Sequence, residues 1–331
     1  MRLATEPQLH TAFEPHCTVA DWSDPTMLRV WTSTQAIDHI RHQVAERYGL
    51  GDHQIEVNAD FVGGGFGAKS VLSPDLVGAI ELSRLARRPV RLVLDRREEL
   101  TATGNRPGTR TDISILVADD GDIEAMVVDA ESHAGVAVNG LYGALCMMVY
   151  DRSPRLAHDS DILTNAPPGA PFRGPGGPTY AWALEQAVDQ AAHQLGWDPI
   201  ELRQRWDGNE KRQALYRWAR DLQVWRGRPV TGSQTRRFRR GVGVAAANWL
   251  YMHDPTTEIE VGVEDGRLVV TNATQDIGTG SKTLLARAVG RRRSKRRKPF
   301  ETRSAPIWPP FPTARRSPPT EPATAAIASC A

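Results

Sequence analysis

Apolar and polar positions change their period several times along this 331-residue chain, and each change marks an element. Alternation from His16 to Trp22, a break at Ser23-Asp-Pro25 and a return from Met27 to Thr32 predict a β-hairpin. From Gln35 the apolar positions Ile37, Ile40, Val44 and Tyr48 recur at helical spacing, and Gly49 and Gly51 close that helix. Gln54 to Val57 reads as a short strand. Ser73 and Pro74 suit the N-cap and first turn of a helix reaching about Leu85. Val90 to Asp95 reads as a buried strand. Two further hairpins are predicted, Asp112–Val117 with Ile123–Ala130 and Glu258–Val263 with Leu268–Asn272. Their turns, Asp119-Asp-Gly121 and Glu264-Asp-Gly266, place glycine where a positive φ is needed. Between them Tyr180 to Leu195 forms a long helix, stopped by Gly196 with Pro199 beyond it. Helices and strands mix without a strict βαβ alternation, so the expected class is α+β.

Three glycine-bearing segments interrupt this pattern. They are Phe61-Val-Gly-Gly-Gly-Phe-Gly-Ala-Lys-Ser70, Phe172-Arg-Gly-Pro-Gly-Gly177 and Gly278-Thr-Gly280. Backbone without Cβ atoms can come within hydrogen-bond reach of a phosphate or an oxo group. Three such loops, one carrying an arginine, predict one large anionic cofactor held from several sides.

Composition narrows the picture. With 40% hydrophobic residues the chain can build a core. It has no run of eighteen apolar residues, so no transmembrane helix is expected, and the first residues lack an apolar signal core. Cys17, Cys146 and Cys330 are too far apart to suggest a zinc or iron–sulfur ligand set, so no protein-held metal is expected. So sparse a cysteine count fits a reducing compartment, and a cytoplasmic location is expected. The net charge of +2 hides an asymmetry: residues 290–331 carry ten Lys/Arg and two acidic residues, against 31 basic and 37 acidic residues elsewhere. That Pro-rich tail reads as a disordered, solvated end, with nucleic-acid binding as the competing reading.

The first glycine loop is also one residue from a phosphate-binding P-loop, with Ala68 where the second glycine should stand. Ala68 and the nearby Pro74 both oppose that nucleotide-binding alternative.

The pieces also fall in a familiar order. His10-Thr-Ala-Phe-Glu-Pro-His16 and Ser33-Thr-Gln35 precede the first glycine loop. Asp95-Arg-Arg-Glu-Glu99, Thr103-Gly-Asn-Arg-Pro107 and Phe172-Arg-Gly174 follow it. Then come Ala183-Leu-Glu-Gln-Ala-Val-Asp189, Asp198-Pro-Ile-Glu-Leu-Arg203, Gly241-Val-Gly-Val-Ala245 and Gln275-Asp-Ile-Gly-Thr-Gly280. Over roughly residues 5–289 the chain resembles the molybdenum-cofactor-binding large subunit of the xanthine dehydrogenase and aldehyde oxidase family. Gly-Thr-Gly in the last piece looks like the aldehyde-oxidising branch.

The resemblance implies molybdenum-molybdopterin, in some relatives extended to a dinucleotide, with the metal held by the pterin's sulfurs. It also implies iron–sulfur and FAD partner subunits, and water-derived hydroxylation of an aldehyde or N-heterocycle. Gln35 would donate a hydrogen bond to a molybdenum oxygen ligand. Gly65, Phe66, Gly67 and Ala68 would bring backbone to the oxo group, with Phe66 walling the substrate funnel. Arg173 would stabilise charge on the substrate oxygen. Gly278, Thr279 and Gly280 would touch the pterin edge or the dinucleotide phosphates. Read without the family, these are a surface amide, a tight loop, an exposed arginine and a plain turn.

Glu14 and His16 are expected to fix a strand start, and Trp182, Leu184 and Trp197 to lie in the core. Glu185 and Asp189 are expected to form a solvated or capping pair. Ser70 stands where purine-oxidising relatives place glutamate, which favours aldehydes.

The expected domains are 1–206, a first cofactor-binding domain incomplete at its N-terminus, 207–289, the start of a second, and the tail 290–331. The abrupt change after Val289 suggests a reading-frame shift, and the glutamate base of the family is expected to be missing. On that expectation the chain is inactive alone and its tail binds no nucleic acid.

Overall fold

The computed structural model of the chain describes residues 1–136, 145–249, 258–292 and 300–304. Among the described residues the chain is α+β, built on three small mixed sheets. After β1 (Arg2–Thr5), the predicted hairpin forms as β2 (Cys17–Asp21) and β3 (Leu28–Thr32), antiparallel with Val19 opposite Trp31. Then follow α1 (Ile37–Tyr48), β4 (Ile55–Asn58), α2 (Pro74–Ala86), β5 (Val90–Val93) and α3 (Arg96–Ala102).

The first sheet has the order β4-β3-β2-β5. One of its faces carries Ala20, Leu28, Val30, Ile55 and Val57 against Ile40 and Val44 of α1 and Leu76, Ala79 and Ile80 of α2. Each large aliphatic side chain buried here contributes about 1.5–3 kcal/mol. Gly49 ends α1 in a left-handed conformation, as its position predicts, and Pro74 opens α2. β5 was expected to be buried; it is an edge strand with alternate residues exposed, because only β2 pairs with it. α3 carries no apolar period and shows in its cap: Asp95 accepts from the Glu98 N–H while Glu98 accepts from that of Asp95.

The second sheet, ordered β1-β6-β7-β8, contains β6 (Thr109–Val117), β7 (Ile123–Gly135) and β8 (Arg155–Leu163). Across it lie α4 (Gly177–Leu195) and α5 (Pro199–Trp206), followed by α6 (Glu210–Asp221) and α7 (Gln223–Arg226). Ile113, Met126 and Val128 of the sheet meet Ala183, Leu184 and Val188 of α4, with Trp206 fully buried beside them. Trp197 packs against this cluster, as expected. Trp182 is 41% exposed, off the apolar stripe of α4, and so is not a core residue.

Glu185 also departs from expectation. It is buried rather than solvated, and accepts hydrogen bonds from Arg203 Nε (2.9 Å), the Tyr150 hydroxyl (2.6 Å) and the Ala246 N–H (2.7 Å). Arg203 reaches Asp189 as well, at 2.8 Å. Burial pushes the Glu185 carboxyl up, and these donors pull it back without cancelling the shift. The node joins α4, α5 and the 246 segment.

The third sheet pairs β9 (Glu260–Glu264), β10 (Arg267–Asn272) and β11 (Phe300–Ser304), with α8 (Ser281–Arg292) between the last two. The tail was expected to be disordered from residue 290, yet α8 runs to Arg292 and β11 lies parallel to β10, Leu268 opposite Phe300. Residues 293–299 and 305–331, with most of the basic run and Cys330, lie outside the described residues. No helix of the described residues is long and apolar enough to cross a membrane.

Candidate functional site

The first glycine loop leaves the end of β4 and is tied down at almost every residue. The Gly63 N–H donates to the Glu14 carboxylate (2.7 Å), the Gly67 N–H to Gln35 Oε1 (2.9 Å) and the Ala68 N–H to the Gly65 carbonyl (3.0 Å). The Lys69 carbonyl accepts from the Gln35 N–H (2.9 Å) and Thr34 Oγ1 (3.0 Å). Gly67 has φ +111°, and a Cβ there would stand 2.1 Å from the Pro171 carbonyl oxygen, so only glycine lets the two segments touch. With Oε1 of Gln35 held by Gly67, the carboxamide turns its NH2 group the other way.

Beneath the loop lies a buried polar layer. Lys69 Nζ donates to the Glu14 carbonyl (2.8 Å) and carboxylate (2.9 Å), and its side chain is wholly buried. His16 Nδ1 sits 2.9 Å from Glu99 Oε2, its other ring nitrogen lies 3.4 Å from the Ala68 carbonyl, and its N–H donates to Glu99 at 2.8 Å. Burial tends to raise the Glu99 carboxyl, but the hydrogen bonds from His16 outweigh it and hold it below its usual value. Glu14 and His16 therefore anchor the loop, a larger role than fixing a strand start. The same geometry removes the P-loop alternative: Lys69 points inward to Glu14, and the next α-helix begins at Pro74.

The second glycine segment meets the first directly. The Arg173 N–H donates to the Phe66 carbonyl (2.8 Å), and both residues have positive φ, +29° and +52°. Such backbone persists only where its surroundings over-determine it. Arg106 supplies part of that restraint, donating to the carbonyls of Arg173 (3.2 Å) and Gly174 (3.1 Å) with its guanidinium 4.7 Å from the Phe172 ring centre. His10 also packs against Phe172, 4.5 Å between rings, with Nε2 2.7 Å from the Pro171 carbonyl. Burial lowers the His10 pKa, which favours a neutral ring donating from Nε2. The Arg173 side chain is exposed, beside the partly exposed Phe66.

The third segment arrives at the other end of the loop. The Val62 N–H reaches the Asp276 carbonyl (3.4 Å), and Lys282 Nζ donates to the Asp60 carbonyl (2.8 Å) while lying 4.5 Å from the Phe61 ring centre. The Asp276 carboxylate gathers the N–H groups of Gly278 (3.1 Å), Gly280 (3.1 Å) and Lys282 (3.2 Å), launching α8. A cavity of about 400 Å³ opens beside Gly280, lined by Thr283, Leu284, Arg287 and Ala288.

All three predicted segments are thus brought together at residues 62–66. Gln35, Gly65, Phe66, Gly67, Ala68 and Arg173 cluster, and Gly278, Thr279 and Gly280 border the cluster through Asp276. The amides of Gly67, Ala68, Gly278 and Gly280, expected to face a cofactor, are instead hydrogen-bonded within the chain. Of the polar side chains here, Arg173 is exposed and Gln35 is half-buried, with its carboxamide oxygen taken by the Gly67 N–H. His10, Glu99 and Arg106 were not singled out from sequence, although each lies in one of the ordered pieces. Among the described residues no group of three His, Cys, Asp or Glu side chains is placed to hold a metal ion.

The profile of the molybdopterin cofactor-binding domain matches residues 1–206. The aldehyde oxidoreductase molybdenum-binding subunit PaoC of Escherichia coli (strain K12) is 31% identical over 302 residues, covering 85% of this chain and 40% of that protein. The xanthine dehydrogenase molybdenum-binding subunit of Escherichia coli O157:H7 is 27% identical, covering 85% of this chain and 41% of that protein. The chain thus spans about two fifths of the length of these relatives. The fold is shared with the crystal structure of the aldehyde oxidoreductase from Desulfovibrio desulfuricans. Its TM-score is 0.71 at 21% identity, over 92% of this chain and 36% of that one.

Proposed function

The chain belongs to the molybdopterin cofactor-binding domain family, and from that premise we propose that it is the cofactor-holding part of a molybdenum hydroxylase that oxidises an aldehyde. The observation that carries this reading is the meeting of the three glycine segments, Phe66 to Arg173 and Val62 to Asp276. The donors fit an oxygen-rich anionic group. The Gln35 carboxamide has its oxygen occupied and its NH2 group left to donate, and Arg173 offers a planar fork for oxygen atoms. Molybdenum in the pterin supplies two-electron oxidation with oxygen taken from water; the chain supplies placement and charge.

Gln35 orients the group from the β3 side, and Arg173 balances negative charge on the substrate's oxygen. Phe66 gives the substrate an apolar wall. Ser70 donates its hydroxyl to the Gly67 carbonyl (2.6 Å), so no carboxylate follows Lys69 to anchor a purine, which supports an aldehyde. Electrons leaving the site require acceptors, and we assign these to iron–sulfur and FAD subunits; the relatives' designation as molybdenum-binding subunits supports such an assembly. Three cysteines in 331 residues support a reducing, cytoplasmic setting.

The test is molybdenum analysis and oxidised-pterin fluorescence on the chain purified from a host that makes the cofactor. Molybdenum and pterin in equal amounts are expected. A folded sample lacking both overturns the reading.

A further inference from the structure

We propose that Glu14, Lys69, His16 and Glu99 are positioning residues for the glycine loop, forming a buried polar cradle that sets where Phe66 and Arg173 stand. The proposal rests on the reading that this loop faces the molybdopterin. His16, Lys69 and Glu99 are each no more than 2% exposed, so the cradle costs considerable desolvation. Apolar side chains of similar size would stabilise the sheet at least as well.

What apolar groups cannot do is aim a backbone. Here each pair ends on the loop. Glu14, held by Lys69, accepts from the Gly63 N–H at 2.7 Å, and His16, held by Glu99, faces the Ala68 carbonyl at 3.4 Å. These are the two ends of an arc whose middle, Phe66 and Gly67, is left-handed at φ +52° and +111°. Gly63 adds a steric key: a Cβ there would lie 2.6 Å from the Glu14 Cβ. The arc is thus gripped at its start and finish, and Arg173 inherits its position through the Phe66 carbonyl.

The experiment uses the full chain with two variants, the double substitution Glu14→Gln/Lys69→Met and the single substitution Glu99→Gln. Hydrogen exchange is read peptide by peptide without cofactor, and pterin content is read after expression in a cofactor-making host. In at least one folded variant, amides of residues 63–70 should exchange at least about tenfold faster while β2, β3, β6 and β7 keep wild-type rates. Pterin retention should fall at least about tenfold in the same variant. Wild-type exchange in the loop overturns the proposal. So does an equal acceleration across the strands, or loss of folding in both variants, since either makes the cradle a support of the sheet. If wild type holds no pterin but the loop alone loosens in the variants, the cradle stands and the cofactor reading falls.

Discussion

Where the Val62 N–H reaches the Asp276 carbonyl, two glycine turns meet that are built differently. The 63–69 loop lies over buried side chains, with Lys69 and His16 each matched to a carboxylate below it. The 276–282 turn is organised by the carboxylate of Asp276, which collects three N–H groups near the surface. Exposed hydrogen bonds compete with water and cost little to break; buried pairs, once half removed, leave a charge with no solvent. The first turn should therefore be rigid and intolerant of change, the second adjustable.

The largest effect is expected where a buried pair is broken. Lys69→Met should cost about 3–5 kcal/mol in urea unfolding, at the lower end because Glu14 keeps some contact with water. Gly67→Ala should cost about 2 kcal/mol or more, from its left-handed backbone and the Pro171 contact. Gly278 is also left-handed, at φ +91°, but its Cβ would meet nothing within 4 Å, so Gly278→Ala should carry the backbone cost alone; a loss equal to that of Gly67→Ala would erase the contrast between the turns.

Acid should weaken both turns, because the Asp276 carboxyl too is held below its usual value, burial raising it and the N–H groups it gathers outweighing that. The folded chain holds Glu99 below its ordinary value near 4.5, so the unfolded chain takes up that proton first. Stability from Glu99 is complete above that value and lost as pH falls through the depressed one. Glu99→Gln should flatten this acid limb in urea titrations carried below about pH 5. The smallest effect belongs to Asp276→Ala, about 1 kcal/mol, the worth of a helix cap. It should appear as faster hydrogen exchange confined to residues 278–284.

Much of the fold was legible because it follows local rules. The β2–β3 hairpin, α1, α4 and the Gly121 turn announce themselves through period and punctuation. β1, β8 and β11 do not: β1 is placed by pairing with the distant β6, and β8 and β11 by parallel pairing with the strand before each, which no local turn signals. α3 was legible only in its cap. The candidate residues Gln35, Phe66 and Arg173 were picked out through motif order, and the loops that carry Phe66 and Arg173 meet in the structure. The uses of Glu99 and Glu185 were not legible. A carboxylate's partner lies in another element, and Glu185 next to Asp189 in helical spacing looks solvated until Arg203 and Tyr150 arrive from elsewhere.

The central claim is that three separated glycine segments hold one molybdopterin. Hydrogen exchange on the chain with and without bound cofactor tests it most directly. Simultaneous protection of residues 61–70, 171–177 and 276–282, with the exposed face of the second sheet unchanged, is the predicted result. Protection of one segment alone, or of none while pterin is bound, would contradict it.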